Sequence, residues 1–586
     1  MTVVVNPEPH VARVIPDIDA VSGEFDYEIP NSWHEDKRIN QIQIGTIVRF
    51  RFRNRIVRGW VSDINPDDVT ERQLLPLKQI SGIGPTTEII KLARWAARHW
   101  HGPTARFLRI ASPKTMIRTI HESGNQPKPR STQGVESYTS KGFSSTVITI
   151  PPTGDRWPCI LETVSNGNAL ILVPSLNQAR LLVGRLKKLG IPVGLHGKEW
   201  LLGARGATIV GTRSAAFASI KNLSSILMID EHDEVYENEA APTWHAREVV
   251  LERAKRLEIP VTFTSPIPTP EIRECSQIQN VGTEQEKSGW GTIKIIDPRV
   301  DRAARGGLWP RVTVDAIKNS DRAVIILNRK GRSKLLACAT CNELVTCSEC
   351  GSGMQQPDEN HLRCARNGHE RPISCRHCLS TRLKNLRVGV TKAVEELGHL
   401  LQINVQEVQA DTKDLNLDSN QVFLGTKAAL HRIDWADLVV FADFDQDLFA
   451  KGYRSEEMAL GSVIRAVRIT NTIGRSAGSV VIQTRSPQNQ LVEVVKNNDI
   501  KKWSEMQTSR RALLALPPFG SYATISGPGA EDYVERLPMS ERLEILGPSE
   551  GSWIIKSGFH DDLLNALSET TRPQKRLRIA VNALNG

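Results

Sequence analysis

Seven of the nine cysteines fall between Cys338 and Cys378, and this run constrains the chain more than any other feature. It reads Cys338-x2-Cys341-x5-Cys347-x2-Cys350-x13-Cys364-x4-His369-x5-Cys375-x2-Cys378. Short C-x2-C knuckles deliver thiolates in pairs, and zinc takes four thiolate or imidazole ligands. The spacing therefore predicts two zinc ions held by Cys338, Cys341, Cys347, Cys350, Cys364, His369, Cys375 and Cys378. Four protein ligands per ion leave no place for water, so such ions serve structure rather than catalysis. Disulfides would need an oxidising compartment, and the N-terminus lacks the charged-then-apolar pattern of a secretory signal. A nested pairing puts Cys338, Cys341, Cys375 and Cys378 on an outer ion and Cys347, Cys350, Cys364 and His369 on an inner one. His361 competes with His369 for the eighth place.

At 586 residues the chain has room for about three to five domains. Its apolar fraction of 40% supports real cores, and no apolar run nears the roughly 20 residues of a membrane span. The expectation is a cytoplasmic, nucleoid-associated protein with no membrane partner. A net charge of +10 favours a polyanion, because each neutralised phosphate releases condensed counterions.

Residues 1–112 read as a small strand-rich domain. Val48, Phe50 and Phe52 alternate with Arg49 and Arg51, Asn54 marks a tight turn, and the chain returns through Ile56–Val61. Five arginines (49, 51, 53, 55 and 58) crowd this hairpin, which suits either a phosphate backbone or a solvated face with acidic neighbours. Thr87–Trp100 reads as a helix. Residues 113–142 have no periodicity and many Pro, Gly, Ser and Thr, the composition of a linker. From 143 to 486, continuous apolar runs such as Ala169–Val173, Ile226–Asp230, Ala323–Asn328 and Leu438–Ala442 alternate with helical patterns. Runs apolar on both faces suit parallel sheets covered by helices. The expected fold is multidomain α/β: two tandem lobes, 143–285 and 286–486, with the zinc-binding insertion at 337–379 in the second. A small α+β domain follows at 487–586.

In order along the chain, several segments resemble the PriA family of primosomal, replication-restart proteins. They are Phe25-Asp26-Tyr27 with Ile29-Pro30; Gly211-Thr212-Arg213-Ser214-Ala215 with Phe217; Ile229-Asp230-Glu231-His232-Asp233 with Tyr236 and His245-Ala246-Arg247; Leu327-Asn328-Arg329-Lys330-Gly331; Gly425-Thr426; Gln483-Thr484; Leu516-Pro517-Pro518-Phe519; and Leu546-Gly547-Pro548. The resemblance spans most of the chain apart from the linker, which is too short for the family's winged-helix module. It implies RecA-like lobes of the superfamily 2 helicase kind and an N-terminal domain that holds the 3′ end of nascent DNA. Phe25, Asp26 and Tyr27 would form the pocket for the terminal base. Alternatively, Phe25 and Tyr27 are strand core and Asp26 a turn residue. Arg49, Arg51 and Arg213 would meet DNA phosphates.

The motor motifs are degraded. A nucleotide loop needs G-x4-G-K-[ST], whose amides, lysine and hydroxyl hold phosphates and magnesium. After the strand Ser145–Ile150 the chain has Pro151-Pro152-Thr153-Gly154-Asp155-Arg156-Trp157-Pro158. Gly154 survives, the lysine and its hydroxyl neighbour are gone, and two prolines remove amide donors. Asp155 puts negative charge where phosphate would sit. Asp230-Glu231 reads either as a remnant magnesium site or as an inherited acidic turn. The arginine-finger segment runs Arg468-Ile469-Thr470-Asn471-Thr472-Ile473-Gly474-Arg475 and keeps at most Arg475, and the coupling motif has become Thr264-Ser265-Pro266. No catalytic residue is assigned. Gly154, Asp230, Glu231 and Arg475 are read as a vestigial nucleotide site, with two zinc ions as cofactors and ATP–magnesium turnover not expected. The resemblance implies a protein that binds forked and single-stranded DNA. Its expected partners are primosome and helicase-loading proteins and single-stranded DNA-binding protein. Two rival readings are an active ATP-dependent 3′→5′ helicase and a zinc-ribbon protein of transcription or topology control.

Overall fold

The computed structural model describes residues 10–583 apart from 22, 70–72, 121–141, 302–306, 329–334, 365, 387–388, 410–411, 413–420, 451 and 473–474. Most of the expected linker, Arg329-Lys330-Gly331, Ile473 and Gly474 lie outside the described residues.

The N-terminal part is a five-stranded antiparallel sheet in the order Phe25–Glu28, Val11–Pro16, Arg55–Ile64, Ile47–Phe52, Gln79–Gly82. Alternation along Ile47–Phe52 sends Val48 and Phe50 into the core and Arg49 and Arg51 out. The hairpin turns on Arg53 and Asn54, at φ 46° and 52°. A two-residue turn that follows the strand twist needs two left-handed residues, a conformation Asn tolerates.

Two all-parallel sheets follow, and the chain is a multidomain α/β protein. The first lobe orders its strands Gln277–Asn280, Ser144–Thr149, Pro260–Ser265, Leu223–Met228, Asn168–Leu172, Thr208–Gly211, Val193–Leu195. The second orders Thr292–Ile296, Ser479–Gln483, Leu438–Phe441, Ala323–Ile326, Val422–Gly425, Val405–Val408. Central strands such as Ala323–Ile326 are buried along their whole length, which is why they are apolar at every position. The strands with no counterpart among the apolar runs are Val193–Leu195, Gln277–Asn280, Thr292–Ile296 and Val405–Val408. All sit at sheet edges, where one flank needs no apolar cover.

The cysteine-rich insertion leaves the second lobe after Ala323–Ile326 and returns before Val390–Leu401. Its own core is small: Leu336, Val345, Met354 and Leu362 around the sulfurs. The C-terminal sheet is antiparallel, ordered Leu543–Ser549, Ser552–Ser557, Ser521–Ser526, Arg578–Val581. The boundary expected at residue 487 falls elsewhere in the packing. Helices Gln490–Asn497 and Ile500–Leu513 bury Leu491, Val492, Val495, Ile500 and Trp503 in the second-lobe core. Their apolar stripes find a partner there before the small sheet begins at Ser521.

One apolar core runs from helices Thr87–His99 and Thr104–Ala111 through the first lobe into the C-terminal sheet. A polar chain crosses the same three parts. His99 Nε2 lies 2.8 Å from Glu248, His560 Nε2 lies 3.1 Å from His99, and His560 Nδ1 lies 2.8 Å from the Ser521 hydroxyl. Among the described residues no helix is long and apolar enough to cross a membrane.

Candidate functional site

The cysteine segment builds four loops of one backbone design. In each, the amide four residues on donates to the leading cysteine's carbonyl: Asn342 to Cys338 (3.0 Å), Gly351 to Cys347 (3.0 Å), Gly368 to Cys364 (3.1 Å) and Leu379 to Cys375 (2.9 Å). All four closing residues are left-handed, with φ between 61° and 73°. Three loops place a second cysteine three residues after the first. The third puts Asn367 there and carries His369 two residues further.

The sulfurs of Cys338, Cys341, Cys375 and Cys378 lie within 4.8 Å of one another, with two cross-pairs at 3.5 Å. A tetrahedral zinc 2.3 Å from each sulfur spaces them about 3.8 Å apart, so this set fits a metal ion. Cys347, Cys350 and Cys364 form a second group, and His369 Nδ1 stands 3.5 Å from the Cys347 sulfur. The amides of Thr340 and Arg366 donate to the Cys338 and Cys364 sulfurs at 3.4 Å, which favours thiolate. His361 stays apart as an exposed side chain, with Nδ1 3.3 Å from Asp358. Zinc bound here would supply folding energy to a segment too small to hold itself together.

The cleft between the lobes differs from its expected form. Asp155 does not enter the phosphate seat. It is exposed, and its carboxylate accepts from the Trp157 amide at the start of helix Trp157–Ser165. The side chain inside the loop is Arg156, 5% exposed. Its Nη1 donates to the carbonyls of Pro151 (2.8 Å), Pro152 (3.2 Å) and Gly154, and Nη2 to the carbonyl of Ile150 (3.2 Å) and to Asp230 Oδ1 (3.2 Å). Burial pulls this guanidinium down to about 10. A phosphate cradle presents amide hydrogens to an anion. This loop presents carbonyl oxygens to a cation. The Thr153 and Gly154 amides are used on the carbonyls of Gly289 and Pro151, and the two prolines have none.

Both carboxylates of the acidic pair are taken up by the protein. Asp230, at φ 54°, meets Arg156 on one oxygen and Arg468 of the second lobe on the other. Glu231 is fully buried and accepts from Arg247 (3.1 Å), the Thr269 amide (2.8 Å) and the Thr269 hydroxyl (2.8 Å). Thr264 and Ser265 brace the turn through the Asp230 amide and His232. Arg475 is not brought to this site. Its guanidinium lies 3.4 Å from the ring centre of Trp435, with Arg322 at 3.9 Å on the same ring. Arg468 takes its place, and neither Arg156 nor Arg468 was singled out by motif. One signal existed: Arg156 is the only basic residue in the segment 151–158.

In the N-terminal sheet the Phe25-Asp26-Tyr27 trio splits. Tyr27 is core: it packs on Phe50, and its hydroxyl donates to the Arg51 carbonyl (3.0 Å). Asp26 is held by Arg13 in a two-point pair (2.8 and 3.0 Å). Phe25 alone offers a ring, 37% exposed and edge-on to Phe52. Arg49, Arg51, Arg53 and Arg55 are exposed, and Arg58 pairs with Asp17 at 2.7 Å. Arg213 turns inward. Its Nη1 donates to the carbonyls of Val235 and Glu237, and its guanidinium lies near Trp244.

Residues 13–113 match the family model of the PriA 3′ DNA-binding domain. The replication restart protein PriA of Bacillus subtilis is 25% identical over 61% of this chain and 49% of its own length. That of Rickettsia conorii is 21% identical over 90% of this chain and 89% of its own. The probable replication restart protein PriA of Mycobacterium tuberculosis is 24% identical over 90% and 88%.

The chain resembles the PriA family of replication restart proteins.

Its alignment spans about half the length of the Bacillus subtilis PriA and of the Haemophilus influenzae PriA (49% and 53%). Among solved structures, yeast Dbp5 bound to RNA and ADP–BeF3 aligns with 64% of this chain and 90% of its own at 11% identity and TM-score 0.36. The two lobes of this PriA relative are defined by their own parallel sheets.

Proposed function

We propose that the chain is a replication-restart protein that binds forked DNA bearing a 3′ end and serves as a platform for primosome assembly, without ATP-driven unwinding. The PriA relatives carry the name replication restart protein, and the matched N-terminal domain supports binding at a DNA 3′ end. Its exposed arginine hairpin supplies phosphate contacts, and Phe25 supplies a face for the terminal base. Single-stranded DNA-binding protein and helicase-loading proteins are the partners this role requires. Two zinc ions, with His369 as the eighth ligand, would keep the insertion rigid as a docking platform.

One observation carries the absence of a motor: the group in the triphosphate seat is the Arg156 guanidinium, whose Nη atoms donate to the loop's own carbonyls. Removing an arginine finger alone costs about 10³–10⁵ in rate, and here the cradle is filled as well.

The test pairs fork binding with ATP hydrolysis. Phe25→Ala is expected to weaken forks with an exposed 3′ end about 10- to 100-fold, the effect of one lost base stack, and to leave blunt-ended duplex unaffected. Fork-stimulated ATP hydrolysis that disappears in Asp230→Ala would establish the helicase reading instead.

A further inference from the structure

We infer that the two lobes are locked shut by the protein's own arginines, so that an internal guanidinium bridge replaces nucleotide as the link between them. This rests on the cleft geometry and goes beyond the restart reading, whose readouts are fork affinity and ATP hydrolysis.

The second-lobe helix Ser455–Thr470 lies along the cleft and carries an arginine at each end, Arg454 just before it and Arg468 in its last turn. Fourteen residues of helix separate them by about 21 Å. Each reaches a first-lobe carboxylate: Arg468 pairs with Asp230, and Arg454 with Glu271. A helix pinned at one end can pivot. Pinned at two ends 21 Å apart, it cannot rotate away from the first lobe without breaking both contacts.

The pins are reinforced on both sides. On the first-lobe side, Arg156 holds the second oxygen of Asp230 (3.2 Å), and Arg247 reaches Glu271 at 3.5 Å. From helix Ile500–Leu513, Arg511 adds a third guanidinium to Glu271 (2.9 Å) and pairs with Glu457 on the pinned helix. Arg247, Arg454 and Arg511 are all buried, as are Asp230 and Glu231. Such groups keep their charge only when paired, since opening the cleft would strand several of them at once. The apolar cores of the two lobes stay separate except at Ile267, which joins the second-lobe cluster. Apolar side chains also meet across the cleft, Ile267 and Pro268 lining the same cavity as Leu460, Ile464 and Trp503, and the ion pairs add the charge-specific part of the closure.

In a nucleotide-driven motor the acidic strand end holds magnesium, and the arginine of the opposite lobe meets a phosphate only when nucleotide is bound. Here Arg468 goes straight to the carboxylate, and no exchangeable group stands between. The pair of lobes becomes one rigid body with a fixed grip.

Hydrogen exchange followed by mass spectrometry on the full chain, with small-angle scattering on the same samples, tests this. In the wild type, adding magnesium and a non-hydrolysable ATP analogue is expected to change neither the scattering profile nor exchange in residues 150–156 and 455–470. Arg468→Ala is expected to raise exchange in both segments about 100-fold and to enlarge the particle. Arg468→Lys, which keeps the charge, should restore most of the protection. Exchange in the N-terminal sheet serves as the folding control. Nucleotide-dependent change in the wild type overturns the lock. So does Arg468→Ala with unchanged exchange in both segments, or Arg468→Lys as fast as Arg468→Ala over an intact N-terminal sheet.

Discussion

The cysteine-rich insertion and the inter-lobe cleft both gather sulfur or oxygen atoms that suit a cation, and they do so in opposite ways. The insertion gathers seven thiols and an imidazole around two points and has almost no apolar core. Its sulfurs converge on two points that could each hold a metal ion. The cleft has drawn its cations from the chain itself. Arg156 and Arg468 take up Asp230, Arg247 and Thr269 take up Glu231, and the loop carbonyls close on Arg156. The comparison teaches how to tell a site that awaits a ligand from one that has been filled. The deciding question is whether the polar groups of the site already have partners within the protein.

The largest effect that could break this contrast is metal loss. Cys375→Ser should abolish one of two bound metals and unfold the insertion, because a structural zinc contributes about 10–16 kcal/mol to a small segment. Metal analysis should read one ion per chain, and limited proteolysis should cut within 337–379 while the lobes keep their melting transition. Global unfolding together with the insertion would mean that the two regions are not separable.

The next effect sharpens the other half. Arg156→Ala removes a buried charge from Asp230 and takes a guanidinium donor from the carbonyls of Ile150, Pro151, Pro152 and Gly154. Breaking such a pair costs about 3–5 kcal/mol, to be read in denaturant unfolding of the whole chain. An unchanged midpoint would show that the cleft does not depend on its internal cation.

The smallest effect is acid sensitivity. Burial holds His101, His196, His232 and His560 down to about 4 and His431 to about 3. Their unfolded value is about 6.5, so the unfolded chain takes up protons that the folded one refuses. Stability is therefore full above about pH 6.5 and falls as pH drops toward 4. Melting temperatures at pH 7.5 and 5.0 should show that loss, with zinc content followed alongside. An equal melting temperature at both values would remove burial of these imidazoles as a factor.

Legibility in the sequence followed burial. Strands covered on both faces, such as Val422–Gly425 and Leu438–Phe441, appear as unbroken apolar runs, so the parallel lobes could be read directly. The edge strands Gln277–Asn280 and Val405–Val408 could not, since half their surroundings are solvent or a loop. Knuckle spacing announced the two sulfur clusters because their cysteines come largely in local pairs. His369 was harder: its loop has the same backbone as the others, yet the imidazole stands two residues later than the cysteine of the other loops.

The cleft was legible only as a loss. The missing lysine and the prolines of 151–158 are visible in one dimension. That Arg156 folds back onto its own loop, that Arg468 rather than Arg475 crosses to Asp230, and that Asp26 is taken by Arg13 are not. Each depends on which side chain arrives from an element far along the chain, or on the phase of a helix at its last turn.

The order of residues thus determined the two parallel lobes, the sulfur-rich insertion and a nucleotide loop without its lysine and hydroxyl residue. These follow from periodicity, short-range spacing and composition, which act within about a dozen residues. Only the tertiary structure decided which charges meet. A buried arginine is stable wherever it finds oxygen partners, and those partners are supplied by distant segments that come together when the chain folds.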